Sequence, residues 1–500
     1  MPEPKASQLL TSAAKTAATS VARARTKHVT AGATAVGLAL AAVVVVTAGP
    51  WDASGQRKAE AARAVSQGGD GGADHGGTPG TRPGSPSAAP SAPAVLAAPG
   101  ASVPGPTRRA LAELLDPILK DPSLGTRRTA AVVDAVTGER LYGKAPGEAL
   151  TPASTIKLAT AVAALTAAGP DHRIATRTVL EKGPGRLVLV GGGDPTLTAR
   201  QKNPYGAASL RTLADKTAAS LKAAGTTGIT LTYDTSLYSG PTTHPIGPNE
   251  NLAQVTALMA DEARTDDSTS GPAPRAADPA AAAARTFADL LHERGITTKG
   301  GDPRPGTASD AAEDIAKVES PPLSALVERM LTHSDNDIAE ALARQTAVAA
   351  GERHDFDGAG KAVHKELDKL RLPLSGTRFA DGSGLDRTDK ISADLLTGLL
   401  AEAAAPSRPA LRSVLTGLPV AGFTGTLSNR YADAADAPGT GLVRAKTGTL
   451  TGVNTLAGTV VDADGRLLVF AFMTQGAPAP QSAQATLDRL ASSVANCGCR

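Results

Sequence analysis

The chain has 500 residues, 51 basic against 48 acidic side chains for a formal charge of +3, and 41% apolar residues with only 2% aromatic. That is enough apolar material for two or three domains whose cores rest on Ala, Val and Leu. A nearly balanced charge, with no basic run interleaved with aromatics, does not carry the footprint of a nucleic-acid binder.

Residues 1–27 hold Lys5, Lys15, Arg23, Arg25 and Lys27 against one acid, Glu3, and Val29 to Pro50 contains no ionisable side chain. Those 22 residues are long enough to cross a hydrocarbon core. The basic flank places the amino-terminal end in the cytoplasm. A basic cytoplasmic segment (1–27) and a single-pass signal-anchor in the cell membrane (28–50) are expected, with everything after them outside the cell. If the segment were cleaved the protein would be secreted, but the long basic stretch and the lack of a clear Ala-x-Ala site before Trp51 favour retention. Residues 51–106 are Gly, Pro, Ser and Ala with few large apolar side chains, too little buried surface to offset the entropy of ordering, and so read as a disordered linker.

The folded region begins near Thr107 with an amphipathic helix over Arg108 to Leu119. Ala130 to Val136 and Arg140 to Tyr142 then read as a hairpin around Thr137-Gly138. The next stretch, Thr151-Pro152-Ala153-Ser154-Thr155-Ile156-Lys157-Leu158, sets a serine and a lysine three residues apart at the mouth of an apolar helix that continues through Ala161, Val162 and Leu165 to Gly169-Pro170. Residues at that spacing share a helix face. A lysine at the start of a buried helix is desolvated, which lowers its pKa toward the range of a general base beside a serine nucleophile. Ser-x-x-Lys arises by chance roughly twice in a chain of this length, and Ser12-Ala13-Ala14-Lys15 is one such match.

Helix and strand signals then alternate: Ile174 to Leu180, Arg186 to Val190, a helix over Ala207 to Ala224, Ile229 to Tyr233, a loop-like Asp266 to Ala277, and an Ala-rich helix over Pro279 to Arg294. Gly191-Gly192-Gly193-Asp194-Pro195 resembles a phosphate loop only superficially. No Gly-Lys-Ser/Thr follows, so it reads as a turn. After Ser320-Pro321-Pro322 a helix carries Leu323, Leu326, Val327, Met330 and Leu331, and a second follows with Ile338, Ala339, Leu342 and Ala343 on one face. Ser334 and Asn336 fall on the junction, where they serve either as helix caps or as a hydroxyl and an amide presented to a cleft. His333 beside Ser334 does not make a Ser-His pair, because adjacent helical residues do not face each other.

The carboxy-terminal part is strand-rich. Val443-Arg444-Ala445-Lys446-Thr447-Gly448-Thr449-Leu450 precedes a hairpin of Val453 to Val461 and Leu467 to Met473 turning at Asp462-Ala463-Asp464-Gly465. A strand-edge lysine followed by hydroxyls and a glycine is suited to hold a carboxylate while backbone N–H faces an oxyanion. Cys497 and Cys499 are too few for a structural zinc site, a bridge across one residue is strained, and the histidines lack metal-ligand spacing.

Ser-x-x-Lys, Ser-x-Asn and Lys-Thr-Gly in this order form a known set. Through them the sequence resembles the D-alanyl-D-alanine carboxypeptidases/endopeptidases of the class C low-molecular-mass penicillin-binding proteins, peptidase family S13, over about residues 107–495. Gly191 to Leu197, Asp381-Gly382-Ser383-Gly384-Leu385, and Leu418 to Gly422 with Gly425-Thr426-Leu427 are similar to segments of that family, although by themselves their glycines read only as turns. Asp386 departs from the small polar residue expected after Leu385.

The resemblance implies an α/β (α+β) protein of β-lactamase/transpeptidase-like fold, a helical cluster beside an antiparallel sheet with the site between them. It further implies a catalytic domain over 107–178 and 300–495, an inserted smaller α/β domain over 179–299 and a tail over 496–500. It implies that Ser154 attacks the carbonyl between two D-alanines of a peptidoglycan stem peptide while neutral Lys157 takes its proton. Ser334, supported by Lys446, relays a proton to the leaving D-alanine, and Asn336 holds the substrate amide. Backbone N–H groups of Ser154 and Thr449 form the oxyanion hole, and Lys446, Thr447, Gly448 and Thr449 make the carboxylate-binding edge. β-Lactams become covalent inhibitors, and no metal or organic cofactor is implied. A β-lactamase shares these motifs but needs a deacylating glutamate, for which Glu340, Glu352 and Glu366 are the acids considered. A tethered β-lactam or muropeptide sensor needs a cytoplasmic partner domain, for which the first 27 residues are too short.

Overall fold

The computed structural model describes residues 105–498 apart from 184, 204 and 434. The expected segments 1–27 and 28–50, and all but the last two residues of the linker 51–106, lie outside the described residues. Among the described residues no helix is long and apolar enough to cross a membrane.

Helix α1 (Arg108–Leu119) matches its expected bounds and is capped by Thr107, whose hydroxyl accepts the Ala110 N–H at 3.2 Å. Strands β1 (Arg127–Asp134) and β2 (Arg140–Lys144) form the antiparallel hairpin. β1 starts earlier than its apolar run because Arg127 and Arg128 pair with Gln475 and Thr474 of the last strand. A 3₁₀ turn, Ala153–Ile156, then leads into α2 (Lys157–Ala168), which is buried on every side from Lys157 to Leu165.

The chain next builds a second sheet from β3 (Ala175–Leu180), β4 (Arg186–Val190), α3 (Leu210–Ala223), β5 (Gly228–Asp234), α4 (Pro279–Glu293), β6 (Thr297–Thr298), β7 (Arg304–Pro305) and β8 (Glu313–Glu319). Its order is β6-β5-β4-β3-β8, with β7 also on β5. β4, β5 and β6 run parallel, and β3 is antiparallel to both neighbours. Leu213 and Ala214 of α3 and Phe287 and Leu291 of α4 share its core with Leu187, Leu189 and Leu231. This sheet extends beyond the expected insert of 179–299 on both sides, since β3 begins at Ala175 and β8 returns at Glu319 to pair with it. β8 escapes a periodicity reading because it is a charged edge strand in which only Val318 is fully buried.

Helices α5 (Leu323–His333), α6 (Asn336–Ala350), α7 (Phe356–Lys369) and α8 (Ala393–Ala404) contribute to one core with α2. Sequence patterning does not reveal α7. Its Gly358 and Gly360 weaken helix propensity, but a Cβ there would lie 1.8 Å from Arg353 O and 2.1 Å from Phe379 O, so backbone packing demands them.

Strands β9 (Arg444–Leu450), β10 (Val453–Val461) and β11 (Leu467–Gln475), followed by α9 (Pro480–Ala495), complete an antiparallel sheet of order β2-β1-β11-β10-β9. β11 shows why two helical layers enclose it. Val469, Ala471 and Met473 enter the α2 core, while the alternate Leu468, Phe470 and Phe472 meet the layer of α1 and α9. Cys497, just past α9, is buried and disulfide-bonded.

Phe470 is fully buried and stacks on Phe472 with ring centroids 5.2 Å apart. Phe470→Ala is expected to lower unfolding free energy by about 3–5 kcal/mol, read as a fall in the urea midpoint.

Candidate active site

The 3₁₀ turn at Ala153–Ile156 decides how the first motif works. Side chains three apart eclipse one another in this geometry, and Ser154 Oγ lies 3.0 Å from Lys157 Nζ. Ala153 enters the turn with a left-handed φ of 48°, strain of the kind that persists where surrounding packing holds it. Lys157 Nζ also donates to Asn336 Oδ1 at 2.7 Å and to the Ser383 carbonyl at 2.6 Å, which gives its three hydrogens three acceptors. Burial lowers its pKa to about 8. Asp381, then Glu340, Asp335 and Asp389, pull the other way without contact and are outweighed.

Ser334 ends α5 in a left-handed conformation (φ 57°), and Asp335 caps α6 by accepting the Ile338 N–H at 3.0 Å, so the cap and cleft readings of this junction both hold. Lys446 Nζ donates to Ser334 Oγ at 2.9 Å and to the Thr447 carbonyl at 2.8 Å. Ser334 thus pairs with Lys446 rather than His333. Burial, and secondarily the charge of Lys157, hold the Lys446 amine well below its ordinary pKa.

β9 is the edge strand beside the nucleophile turn. Gly448 permits this approach, since a Cβ there would lie 2.2 Å from Thr455 Oγ1, 2.7 Å from Pro152 O and 3.1 Å from Ser154 N. The motifs meet at a cleft of about 220 Å³ lined by Ser154, Ser334, Asn336 and Thr449. Lys157, Lys446, Thr447 and Gly448 are buried behind these groups. Thr447 Oγ1 bonds Thr426 Oγ1 at 2.8 Å, and Thr449 Oγ1 accepts from Gln484 Nε2 at 3.1 Å. Asn336, expected to hold a substrate amide, has both ends occupied here, since its Nδ2 donates to Asn251 O at 3.0 Å while its Oδ1 accepts from Lys157.

Several participants escaped the sequence reading. Ser383 supplies a carbonyl to Lys157, and its segment could be read only as a turn. Thr426 lies in a second such segment, and Gln484 on α9 carries no local signal. Asn251, Arg264, Gly271 and Pro272 bring the chain between β5 and α4 into the cleft wall. That wall is fixed by buried ion pairs, Arg264 and Arg329 to Glu262 at 2.8 Å each and Arg275 to Asp337 at 2.8 Å. Gly191 to Pro195 is a turn, with Asp194 Oδ1 accepting the Thr196 N–H at 2.9 Å. Asp386, the departure noted above, caps a turn by accepting from Thr388 N and Oγ1.

None of Glu340, Glu352 and Glu366 lines the cleft. Glu340 is buried and accepts the N–H groups of Gly382 and Ser383, while Glu352 and Glu366 pair with Lys365 and Lys369.

The chain matches the family model described as D-Ala-D-Ala carboxypeptidase 3 (S13) over residues 111–274 and 263–494. It is 37% identical over 425 residues to the Carboxypeptidase DacB of Mycolicibacterium smegmatis, covering 81% of this chain and 89% of that protein. It is 32% identical over 469 residues to the D-alanyl-D-alanine carboxypeptidase of Actinomadura sp. (strain R39), covering 78% and 85%. Penicillin binding protein 4 of Haemophilus influenzae shares the fold, with a TM-score of 0.62 at 22% identity over 76% of this chain and 97% of that one.

Adding a methyl group at Gly448 forces β9 away from the nucleophile turn. Gly448→Ala is expected to cost about 1–3 kcal/mol in urea unfolding. Gly147→Ala, where the nearest atom to a new Cβ is 3.8 Å away, is expected to stay within about 0.5 kcal/mol of the parent.

Proposed function

This chain belongs to the D-Ala-D-Ala carboxypeptidase 3 (S13) family, and from that premise we propose that it is a serine-type, penicillin-binding D-Ala-D-Ala carboxypeptidase of peptidoglycan stem peptides. The observation that carries the reading is the pair of Ser–Lys contacts at one cleft, Ser154–Lys157 at 3.0 Å and Ser334–Lys446 at 2.9 Å, with both lysines buried.

In this reading neutral Lys157 accepts the Ser154 proton as Oγ attacks the carbonyl between the D-alanines. The negative oxygen that forms is met by the backbone N–H groups of Ser154 and Thr449. Each such donor contributes on the order of a hundredfold to a thousandfold in rate. Ser334 passes a proton to the departing amine, and Lys446 behind it keeps that hydroxyl oriented. The terminal carboxylate of the substrate binds along the Lys446–Thr447–Thr449 edge, where Lys446 bonds Ser334 Oγ and the Thr447 carbonyl. Asn336 orients Lys157, and it reaches a substrate amide only by giving up Asn251. Water then releases the acyl group.

The absence of Glu340, Glu352 and Glu366 from the cleft lining supports slow deacylation over β-lactamase turnover. β-Lactams are therefore covalent inhibitors in this reading. The same cleft would serve as an endopeptidase if it admits a longer leaving peptide. The basic segment 1–27 and uncharged run Val29 to Pro50 support a membrane anchor that holds residues 107–495 outside the cell.

Incubation of the chain from Thr107 onward with benzylpenicillin is expected to give a one-to-one covalent adduct by intact mass, absent in Ser154→Ala. An adduct that clears while penicillin is consumed would favour the β-lactamase reading, and no adduct on a folded chain would overturn both.

Lys157 must be neutral to act, so the second-order acylation rate should climb about tenfold per pH unit below 8 and level off above it. Lys157→Arg, charged throughout, should lower the plateau by about a hundredfold to ten-thousandfold.

A further inference from the structure

Beneath the nucleophile turn lies a buried polar cluster to which the reaction above assigns no role. His244, carried by the inserted unit and 4% exposed, places Nε2 3.0 Å from Asp381 Oδ2 and 3.9 Å from Glu340 Oε1. The Ile246 N–H donates to Nδ1 at 3.3 Å, which leaves the ring proton on Nε2, directed at Asp381. Phe356 meets the ring edge-on at 5.3 Å.

Asp381 passes this constraint onward. Its Oδ1 accepts the Gly384 N–H at 2.6 Å, and that N–H belongs to the same peptide group as the Ser383 carbonyl, which accepts from Lys157 Nζ at 2.6 Å. Glu340 takes the preceding N–H groups, Gly382 at 3.1 Å and Ser383 at 2.9 Å. Consecutive amides thus point down at carboxylates, and the Ser383 carbonyl points up at the lysine. Gly384 sits at φ +83°, where a Cβ would lie 2.1 Å from Ala153 O, so the peptide is pressed against the nucleophile turn. With backbone hydrogens aimed at its oxygens, the cluster is a hydrogen-bonded support and not a cation cage.

We propose that His244 is a positioning residue for Lys157, acting through Asp381 and the Ser383–Gly384 peptide, so that the inserted unit helps to set the aim and proton affinity of the base. This rests on the reading of Lys157 as general base. Burial pushes the Asp381 carboxyl up, but the His244 bond, the Gly384 N–H and a hydrogen bond from Asp389 outweigh it and hold the group below its usual range, and the Asp386 N–H also reaches Oδ2 at 2.7 Å. Asp381 is in turn the largest of the charges that hold Lys157 up against its own desolvation, ahead of Glu340, Asp335 and Asp389. Asp386 also faces His244, Asp389 is bonded to Asp381, and Lys446 is the amine beside Lys157. The sign follows: without the His244 donor the Asp381 carboxyl holds its proton to a higher pH, the charge it sets against the desolvation of Lys157 weakens, and the amine becomes neutral at a lower pH.

The test is the pH profile of benzylpenicillin acylation, followed by intact mass, for the parent, His244→Gln, His244→Phe and Asp381→Asn, with circular dichroism to establish folding. His244→Gln keeps a donor, and its limb should stay within a few tenths of a unit of the parent. In His244→Phe the limb should fall by about one unit, and the plateau by on the order of a hundredfold through misplacement of the amine. Asp381→Asn should reproduce the downward limb. Unmoved limbs in folded His244→Phe and Asp381→Asn would overturn the proposal, even with lower plateaus, since that is what a purely structural role predicts. If His244→Phe does not fold, an unmoved limb in Asp381→Asn is sufficient to overturn it. A parent chain that takes up no penicillin would instead overturn the acyl-enzyme reading, and this inference with it.

Discussion

Two lysine amines, those of Lys157 and Lys446, are taken out of water at the centre of this protein, and much of the surrounding structure answers the cost of placing them there. An isolated buried cation is penalised by several kcal/mol, which either neutralises the group or demands partners. Lys157 receives a hydroxyl, an amide oxygen and a carbonyl; Lys446 receives a hydroxyl and a carbonyl. None of these acceptors is charged. A carboxylate in direct contact would have stabilised the ammonium and removed the base, whereas Asp381 and Glu340 act from one peptide away and leave the Lys157 pKa at about 8.

The same constraint explains the layering. Lys157 begins a helix buried on every side because α5 to α8 and the inner face of the antiparallel sheet close around it. Strand β9 can bring Lys446 to the other side only because it is the sheet edge and because Gly448 lets it approach the nucleophile turn. The second sheet extends the support. The chain between β5 and α4 contributes Asn251 to Asn336, His244 to Asp381, and Glu262, Arg264 and Arg275 to an arginine–carboxylate cluster with Asp337 of α6 at the cleft wall. Burial, then Asp335 and Asp337, push the Glu262 carboxyl well above its usual range, while Arg329 pulls it the other way.

Much of this was legible in the residues. Ser154 and Lys157 share a face because their separation is three, and the helix after them is apolar throughout, so contact and desolvation both follow from local pattern. The hairpin of β10 and β11 follows from two apolar runs around an Asp-Ala-Asp-Gly turn. Strand β8 and helix α7 were not legible: one is a charged edge whose pairing partner lies over a hundred residues away, and the other keeps its glycines for contacts with distant backbone.

By itself the sequence determined the order and spacing of three motifs, and hence the family, because eclipsed and strand-edge geometries are properties of a few consecutive residues. The resemblance already set Ser334 beside Lys446, and the structure puts Lys446 Nζ 2.9 Å from its hydroxyl; only the tertiary structure decided that both polar ends of Asn336 are occupied and that a backbone carbonyl of Ser383 holds the base. These contacts join residues about a hundred to more than two hundred positions apart. A carbonyl has no side chain to betray it, and its direction is set by where Asp381, Glu340 and His244 converge when the chain packs.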